Sequence, residues 1–251
     1  MLEVWIVVAA EVDATGELVA ASPLTALMVK SMACAIASHP VKNAIARLVS
    51  VSEVETLYSK FLYTGNLPDR PQITEILLSP VTLNFSPSFS FPQQSIYQAC
   101  RDVVGLRHQV EQELGCATGV GDLWLPVVLT SKGPIYGEAI GLSQPQAVPE
   151  DLSLPSLSYT QPIHLSDAKR QLLYELGYNL LQLLQASPAT YLLQFGLAAE
   201  SIYFDRLWPF PAAPAIASLG IQSPNLFTCH WKCLTEQPLL DLEIIPVRGE
   251  L

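Results

Sequence analysis

The sequence predicts an α+β fold, in which a mixed, mostly antiparallel β-sheet is packed by two or three long amphipathic helices. Three observations support this prediction. Strand, helix and hairpin patterns occur in both halves of the chain. They do not follow the regular strand and helix alternation that signals a doubly wound parallel sheet. The chain has 251 residues, half of them hydrophobic, which is enough for a substantial core.

The N-terminal segment predicts a strand, a turn and a helix. Residues 2–10 form a nearly continuous apolar, β-branched run, which is typical of a strand buried on both faces. Asp13–Gly16 has the composition of a turn. Ser22 and Pro23 predict the start of a helix, because serine is a good N-cap and proline suits the first helical position.

Two strands and a helix are expected next. Residues 45–51 and 73–85 alternate like strands and flank a helical segment at 53–63. Pro80 places the second strand at an edge or a bulge, because proline cannot donate to a sheet hydrogen bond. Residues 84–92 alternate Phe with Ser and Pro, which favours a loop that crosses an apolar surface.

The clearest amphipathic pattern predicts one helix over 94–114, with Gly115 as its cap. The segments 123–130 and 135–140 follow as a hairpin. The C-terminal part predicts a second strong helix after Ser166, a strand pair and a last strand. The strand segments of this part are 191–195, 201–207 and 239–245.

The whole chain, 1–251, is predicted to be a single α+β domain. The alternative is a pair of subdomains, 1–142 and 163–251, joined by the Pro-rich segment 143–162. That segment is polar and shows neither helical nor strand periodicity.

Composition excludes several classes of protein. The net charge of −10 has no local run of Lys or Arg to offset it, which argues against a nucleic-acid partner. The longest apolar runs are interrupted by Glu11 and Lys30, so no transmembrane segment is predicted. No signal peptide is recognisable, and the five cysteines fit reduced thiols, so a cytoplasmic location is expected.

The segment Ile202–Cys233 departs furthest from ordinary patterning, because an ion pair, two Trp and several Pro occur together with Cys229, His230 and Cys233. Thiolate and imidazole are ligands that zinc prefers, but the paired C-x₂-C spacing of a structural site is missing. A strand is the simpler interpretation of 229–233. It would place the two cysteines on one face and His230 on the other, where it is badly placed to activate a thiol. We therefore predict no metal site and no catalytic residue here.

Asp205 and Arg206 end a predicted strand directly before Trp208, and a guanidinium beside an indole can hold a carboxylate or a planar ligand. The alternative is a surface ion pair beside a core tryptophan. The prolines after Trp208 predict a rigid apolar elbow. The predicted binding residues are Asp205, Arg206, Trp208, Phe210, His230 and Lys232.

Two functions fit these features, and no cofactor is predicted for either. The first is a soluble, non-enzymatic binding or assembly factor that contacts a protein partner, or a second copy of itself, through an apolar Pro/aromatic surface. The alternative is an enzyme or small-molecule-binding protein with a pocket around Asp205, Arg206, Trp208 and His230. The sequence leaves open whether the chain is an enzyme.

Overall fold

The structure is a computed structural model that describes residues 1–39, 41, 43–65, 67, 70, 72–143, 159–199 and 201–245. The chain divides into two compact units, Met1–Arg101 and Asp102–Leu251, called unit 1 and unit 2 here. This boundary lies earlier in the chain than the predicted linker segment 143–162. Residues 144–158 of that segment lie outside the described residues.

Unit 1 contains a three-stranded parallel sheet. Its elements in chain order are β1 (Leu2–Val8), β2 (Glu11–Val12), β3 (Leu18–Val19), α1 (Pro23–Ser38), β4 (Ile45–Ser50), α2 (Val51–Thr64), β5 (Glu75–Pro80) and α3 (Gln94–Arg101). The strand order is β4-β1-β5, and both pairs are parallel. All of β1 is buried, as its continuous apolar run predicts for the central strand of a parallel sheet.

The helix starts of unit 1 follow the local sequence signals. Ser22 Oγ accepts a hydrogen bond from the Thr25 amide at 3.1 Å and caps α1, as predicted. Ser50 Oγ accepts from the Glu53 amide at 3.3 Å in the same way and caps α2. Pro80 is the last residue of β5, an edge strand, so its predicted position is also confirmed.

The Phe/Ser/Pro segment supplies core side chains to unit 1. Phe85, Phe89 and Phe91 are each at most 8% exposed. The rings of Phe85 and Phe91 lie 4.8 Å apart, and Phe91 also contacts Tyr97. This segment therefore places its apolar side chains in the interior and does not present them to a partner.

The single helix predicted over 94–114 is interrupted at Asp102. α3 ends at Arg101, and the Asp102 carboxylate accepts from the Gly105 amide at 3.0 Å, which makes it the N-cap of the next helix. Aspartate favours such a cap over a helix interior because its side chain competes for backbone donors. Gly115 adopts a left-handed conformation at the far end, with φ of 64°, and confirms the predicted cap.

Unit 2 is built on a larger antiparallel sheet. Its elements are α4 (Val103–Leu114), β6 (Leu123–Thr130), β7 (Gly133–Tyr136), β8 (Ala139–Leu142), β9 (Tyr159–Ile163), α5 (Asp167–Leu183), β10 (Ala189–Leu197), β11 (Ile202–Trp208), a 3₁₀ helix (Ala213–Ser218), β12 (Gln222–Ser223), α6 (Leu226–Leu234) and β13 (Glu243–Ile244). The strand order is β11-β10-β6-β8-β9, with β7 paired to β6. The predicted hairpin and the pair β10-β11 are confirmed.

The two faces of the unit 2 sheet differ. On one face, Gly177 of α5 packs against Val127 and Leu193. Side chains alternate along a strand, so Thr190 and Gln194 of β10 belong to the opposite face. α6 covers that opposite face at the Thr190 end, where the Thr190 amide donates to His230 Nδ1 at 3.2 Å.

Several predictions need correction. Residues 229–233 are helical within α6, because Asn225 caps a helix there by accepting from the Thr228 amide at 3.0 Å. β9 begins inside the supposed linker, and the last strand is only β13. The α+β class fits, but the sheet is not one mixed sheet, because the parallel strands of unit 1 and the antiparallel strands of unit 2 form separate sheets. Among the helices of the described residues, none is long and apolar enough to cross a membrane.

Candidate functional site

Four of the predicted binding residues lie together at the end of β11. The Arg206 guanidinium lies 5.8 Å from the ring centroid of Trp208, a distance typical of a cation–π contact. The rings of Trp208 and Phe210 meet edge to face at 6.0 Å. Phe210 is buried, whereas the side chain of Arg206 is 36% exposed. The site therefore presents a cation held against an aromatic ring that is itself anchored in the core.

A β-bulge positions Asp205. In the pairing of β10 with β11, Gln194 lies opposite Arg206 and Phe195 lies opposite Phe204, so Asp205 is the extra residue. A bulge of this kind re-aims a side chain without ending the strand pair. Asp205 is 1% exposed and lies beside Arg206.

The Asp205 carboxylate is fully engaged by neighbouring donors. Its Oδ1 accepts from Arg107 Nη2 and, at 3.3 Å, from Arg206 Nε. Its Oδ2 accepts from the Gly121 amide at 2.9 Å. Arg107, which α4 supplies, also donates to the backbone carbonyls of Asp205 and Gly119 at 2.9 and 3.0 Å. This carboxylate is therefore a structural anion that organises two guanidinium groups.

The charges at this position do not balance. Two arginines share one carboxylate, which leaves a surplus of one positive charge in a chain whose net charge is −10. Arg107 uses Nε and Nη2 for hydrogen bonds within the protein. Arg206 has Asp205 as its only hydrogen-bonding partner among the described residues and engages it through Nε alone. The remaining donors of Arg206 are available to a ligand.

Gln194 joins the exposed residues to the base of the site. Its Nε2 donates to the Gly121 carbonyl at 2.6 Å, and its Oε1 accepts from Trp208 Nε1 at 3.3 Å. Gly121 is required at this position, because a Cβ there would lie 2.2 Å from the Phe195 carbonyl group. The Trp208 indole is therefore fixed at its ring edge by a hydrogen bond and at its face by Arg206.

Two further aromatic residues lie next to this site in the same sheet, and of these only Tyr159 is partly exposed. Trp124 of β6 pairs with Gln194, and its ring meets that of Tyr159 edge to face at 5.4 Å. Burial raises the pKa of the Tyr159 phenol, so it remains a neutral hydroxyl. We call the surface formed by the partly exposed residues Gln194, Arg206, Trp208 and Tyr159 the open face. Trp124 is only 7% exposed and supports this face from within the core.

His230 occupies a different environment from Arg206. It belongs to α6, faces the sheet and is 1% exposed, and burial lowers its pKa from 6.5 to about 3. Its Nδ1 accepts from the Thr190 amide, while Nε2 has no hydrogen-bonding partner among the described residues. The imidazole is therefore neutral and enclosed near neutral pH.

Lys232 lies at the other end of the sheet. It lines a groove together with Thr130 and Lys132, at the end of β6 opposite Trp124. At about 3.3 Å per residue, the two ends of β6 are roughly 20 Å apart. The structure therefore does not bring Lys232 to the open face, and its predicted role there remains a prediction without a supporting contact.

The two thiols of α6 are poor candidates for chemistry. Cys229 and Cys233 are buried, and burial raises the pKa of both thiols, that of Cys233 to about 12. A thiol that remains protonated is a poor nucleophile and a poor metal ligand.

Unit 1 also contains a groove with arginines, but its charges are paired. A cavity of about 670 Å³ is lined by residues that include Arg47 and Arg70. Arg47 pairs with Glu53 at 2.5 Å, and Arg70 pairs with the buried Glu3. Each guanidinium there has its own carboxylate, so this groove lacks the surplus charge of the open face.

A divalent cation does not fit the donor set of the open face. Mg²⁺ in nucleotide sites is held by one or two carboxylates together with the substrate phosphates. Both oxygens of Asp205 are already occupied by hydrogen-bond donors, and Gln194 is a neutral amide. No cluster of three metal-binding side chains occurs anywhere in the described ranges. The adjacent Arg206 would repel a dication.

Sequence reasoning found Asp205, Arg206 and Trp208 because they are neighbours in the chain. It missed Gln194, although a polar side chain inside an apolar strand is a recognisable signal. It also missed Arg107, which was assigned to the polar side of a helix. No local signal links Arg107 with Asp205, because the two are 98 positions apart.

The sequence matches no known protein family model and no curated protein. Solved structures, however, share its fold. Glycinamide-RNase-transformylase T from Mycobacterium tuberculosis is similar with a TM-score of 0.65 and 14% identity, over 94% of this chain and 80% of that one. N5-carboxyaminoimidazole synthetase from Staphylococcus aureus, complexed with ADP, is similar with a TM-score of 0.54 and 10% identity, over 96% of this chain and 79% of that one.

L-amino acid ligase from Bacillus licheniformis is also similar, with a TM-score of 0.56 and 7% identity, over 92% of this chain and 74% of that one. The chain has their fold. These similar structures are ATP-grasp-type ligases. At such low identities the likeness establishes the architecture alone.

The prediction of a non-enzymatic binding or assembly factor is wrong. The structures that share the fold are enzymes. The surfaces on which the prediction depended are also not presented, because Phe210 and the prolines on either side of it are buried, as are Phe85, Phe89 and Phe91 of unit 1. The alternative, an enzyme or small-molecule-binding protein, is the better-supported hypothesis.

Proposed function

We propose that this chain binds an adenine nucleotide on the open face, as a small-molecule-binding protein built on the fold of ATP-grasp-type ligases. The observation that carries the proposal is the surplus positive charge of Arg206, which is held against the Trp208 indole on a partly exposed sheet face. A guanidinium pairs well with phosphate oxygens, and an indole offers a surface for a planar base.

The similar structures supply the choice of nucleotide. One of them is complexed with ADP, and its match with this chain extends over 79% of its length. The residues that the nucleotide would contact are those of the open face, with Arg206 directed to phosphate and the aromatic side chains to the base. Asp205 and Arg107 hold Arg206 in place and are positioning residues.

Binding can be tested by calorimetry and by thermal unfolding with ADP. A ligand at a hundredfold excess over its Kd stabilises the folded state by about 2.7 kcal/mol. For a chain of this size, that corresponds to a rise in Tm of roughly 5–10 °C. We expect this rise for the wild-type chain and a much smaller one for Trp208→Ala.

Tyr178→Ala is the control variant, because it alters an exposed aromatic residue of α5. This variant should keep the full rise in Tm. Absence of any ADP binding by the folded wild-type chain would refute the proposed function. An equal rise in Tm for Trp208→Ala would remove Trp208 from the site.

A further inference from the structure

The charged side chains of the open face determine what could neutralise a bound phosphate group, given the proposed nucleotide binding. A nucleoside diphosphate brings negative charge that a protein must balance. The open face offers one surplus guanidinium and no unoccupied carboxylate among its described residues. Its chemistry therefore complements an anion directly and does not complement a divalent cation.

We propose that the open face binds the diphosphate of the nucleotide without a divalent metal ion, and that Arg206 supplies the positive charge. This inference rests on the proposed function and adds a specific requirement to it. The geometry supports it in two ways. Asp205 holds Arg206 through Nε alone, which leaves its terminal nitrogens for phosphate oxygens. The Gln194 side chain is held by Gly121 and Trp208, so its amide oxygen is already engaged.

A planar guanidinium can contact two phosphate oxygens at once, which an ammonium group cannot. The Arg206 side chain is also restrained by the Trp208 ring, so less conformational freedom is lost on binding. These features favour arginine over lysine at this position. They predict that Arg206→Lys retains only part of the ADP affinity of the wild-type chain.

The decisive experiment measures ADP affinity by isothermal titration calorimetry, first with excess Mg²⁺ and then with EDTA. We expect the same affinity, within about threefold, in both conditions. Arg206→Gln should weaken ADP binding by about 10- to 100-fold in EDTA, which is the loss expected for a charged hydrogen bond.

Arg170→Gln is the matched control. Arg170 is 37% exposed, nearly the same as Arg206, and it pairs with Asp167 on α5, which packs on the other face of the sheet. This variant removes one positive charge from the same unit, and it should leave the ADP affinity unchanged. Pyrophosphate should compete with ADP, and the competition should be lost in Arg206→Gln.

Gln194→Glu tests the same inference from the opposite direction, because it adds a carboxylate of nearly equal shape beside Arg206. We expect it to weaken ADP binding in EDTA by about tenfold or more and to restore part of the affinity when Mg²⁺ is added. Circular dichroism and thermal unfolding of each variant identify any that fails to fold.

The outcomes separate the two proposals. ADP binding that is at least tenfold tighter with Mg²⁺ in the wild-type chain would overturn the metal-free inference and leave nucleotide binding intact. Equal loss of affinity in Arg206→Gln and Arg170→Gln would overturn the role of Arg206. A folded wild-type chain that binds ADP in neither condition would refute the proposed function, and this inference with it.

Discussion

The two ends of strand β10 differ in how deeply the residues around them are buried. At the Thr190 end, α6 covers the sheet, and His230 and Trp231 are almost fully buried. At the Gln194 end, Arg206 and Trp208 remain partly exposed. The difference teaches that the sheet is enclosed at the Thr190 end, where α6 packs on it, and is partly accessible to solvent at the Gln194 end.

The largest expected effect is on stability at the covered end. Trp231→Ala should lower the free energy of unfolding by about 3–5 kcal/mol, because it empties a large, fully enclosed volume. Trp208→Ala at the open end should cost only about 1 kcal/mol, because the indole is already partly in contact with solvent. Urea unfolding monitored by circular dichroism measures both values, and equal losses would contradict the distinction between the two ends.

An intermediate effect is expected below the open face. Asp205→Asn removes a buried negative charge and leaves Arg107 without its charged partner, so it should cost about 2–3 kcal/mol of unfolding free energy. This is less than for a fully buried pair, because Arg107 is 25% exposed. Arg206→Gln serves as the comparison and should cost less than about 1 kcal/mol. If the two variants lost the same stability in urea unfolding, Asp205 would not be the structural anion of the site.

The smallest expected effect is a pH dependence of the unfolding free energy that arises from His230 at the Thr190 end. Because burial lowers the pKa of His230 from 6.5 to about 3, the unfolded chain binds a proton that the folded chain rejects between these values. This contribution to stability is complete above pH 6.5 and is lost as pH falls, at up to about 1.4 kcal/mol per pH unit. At pH 5 the loss should be about 2 kcal/mol.

His230→Asn keeps a side-chain acceptor for the Thr190 amide but cannot titrate. Its unfolding free energy should therefore fall less steeply than that of the wild-type chain between pH 7 and pH 5 in urea titrations. His164→Asn controls for removing an imidazole from an exposed position. A wild-type slope in His230→Asn would show that the buried imidazole does not cause the acid sensitivity.

Local signals in the sequence identified much of the secondary structure. Ser22 with Pro23, and Ser166, marked helix starts correctly, because an N-cap is a contact between near neighbours in the chain. The buried strand β1 was recognisable from its continuous apolar run. The helix α6 was not, because nine residues offer little periodicity and the capping role of Asn225 was overlooked.

Long-range contacts decided what the sequence could not predict. Whether β1 pairs with parallel or antiparallel neighbours depends on β4 and β5, which are distant in the chain. The candidate site was predictable where its residues are adjacent, as in Asp205 and Arg206. Its supporting residue Arg107 was not, because only the folded chain brings it to Asp205.

The extra residue in β11 has a consequence for chain length. Tyr203, Arg206 and Trp208 are the partly exposed positions of this strand, a spacing that skips one step of the usual alternation at Asp205. Deletion of Asp205 would leave Phe204 opposite Phe195 and Arg206 opposite Gln194, in an uninterrupted ladder. Such a deletion would therefore keep the side chains of β11 on their present faces, although it would remove the carboxylate that Arg107 and Arg206 share. Insertion or deletion at Leu207 instead would exchange interior and exterior side chains.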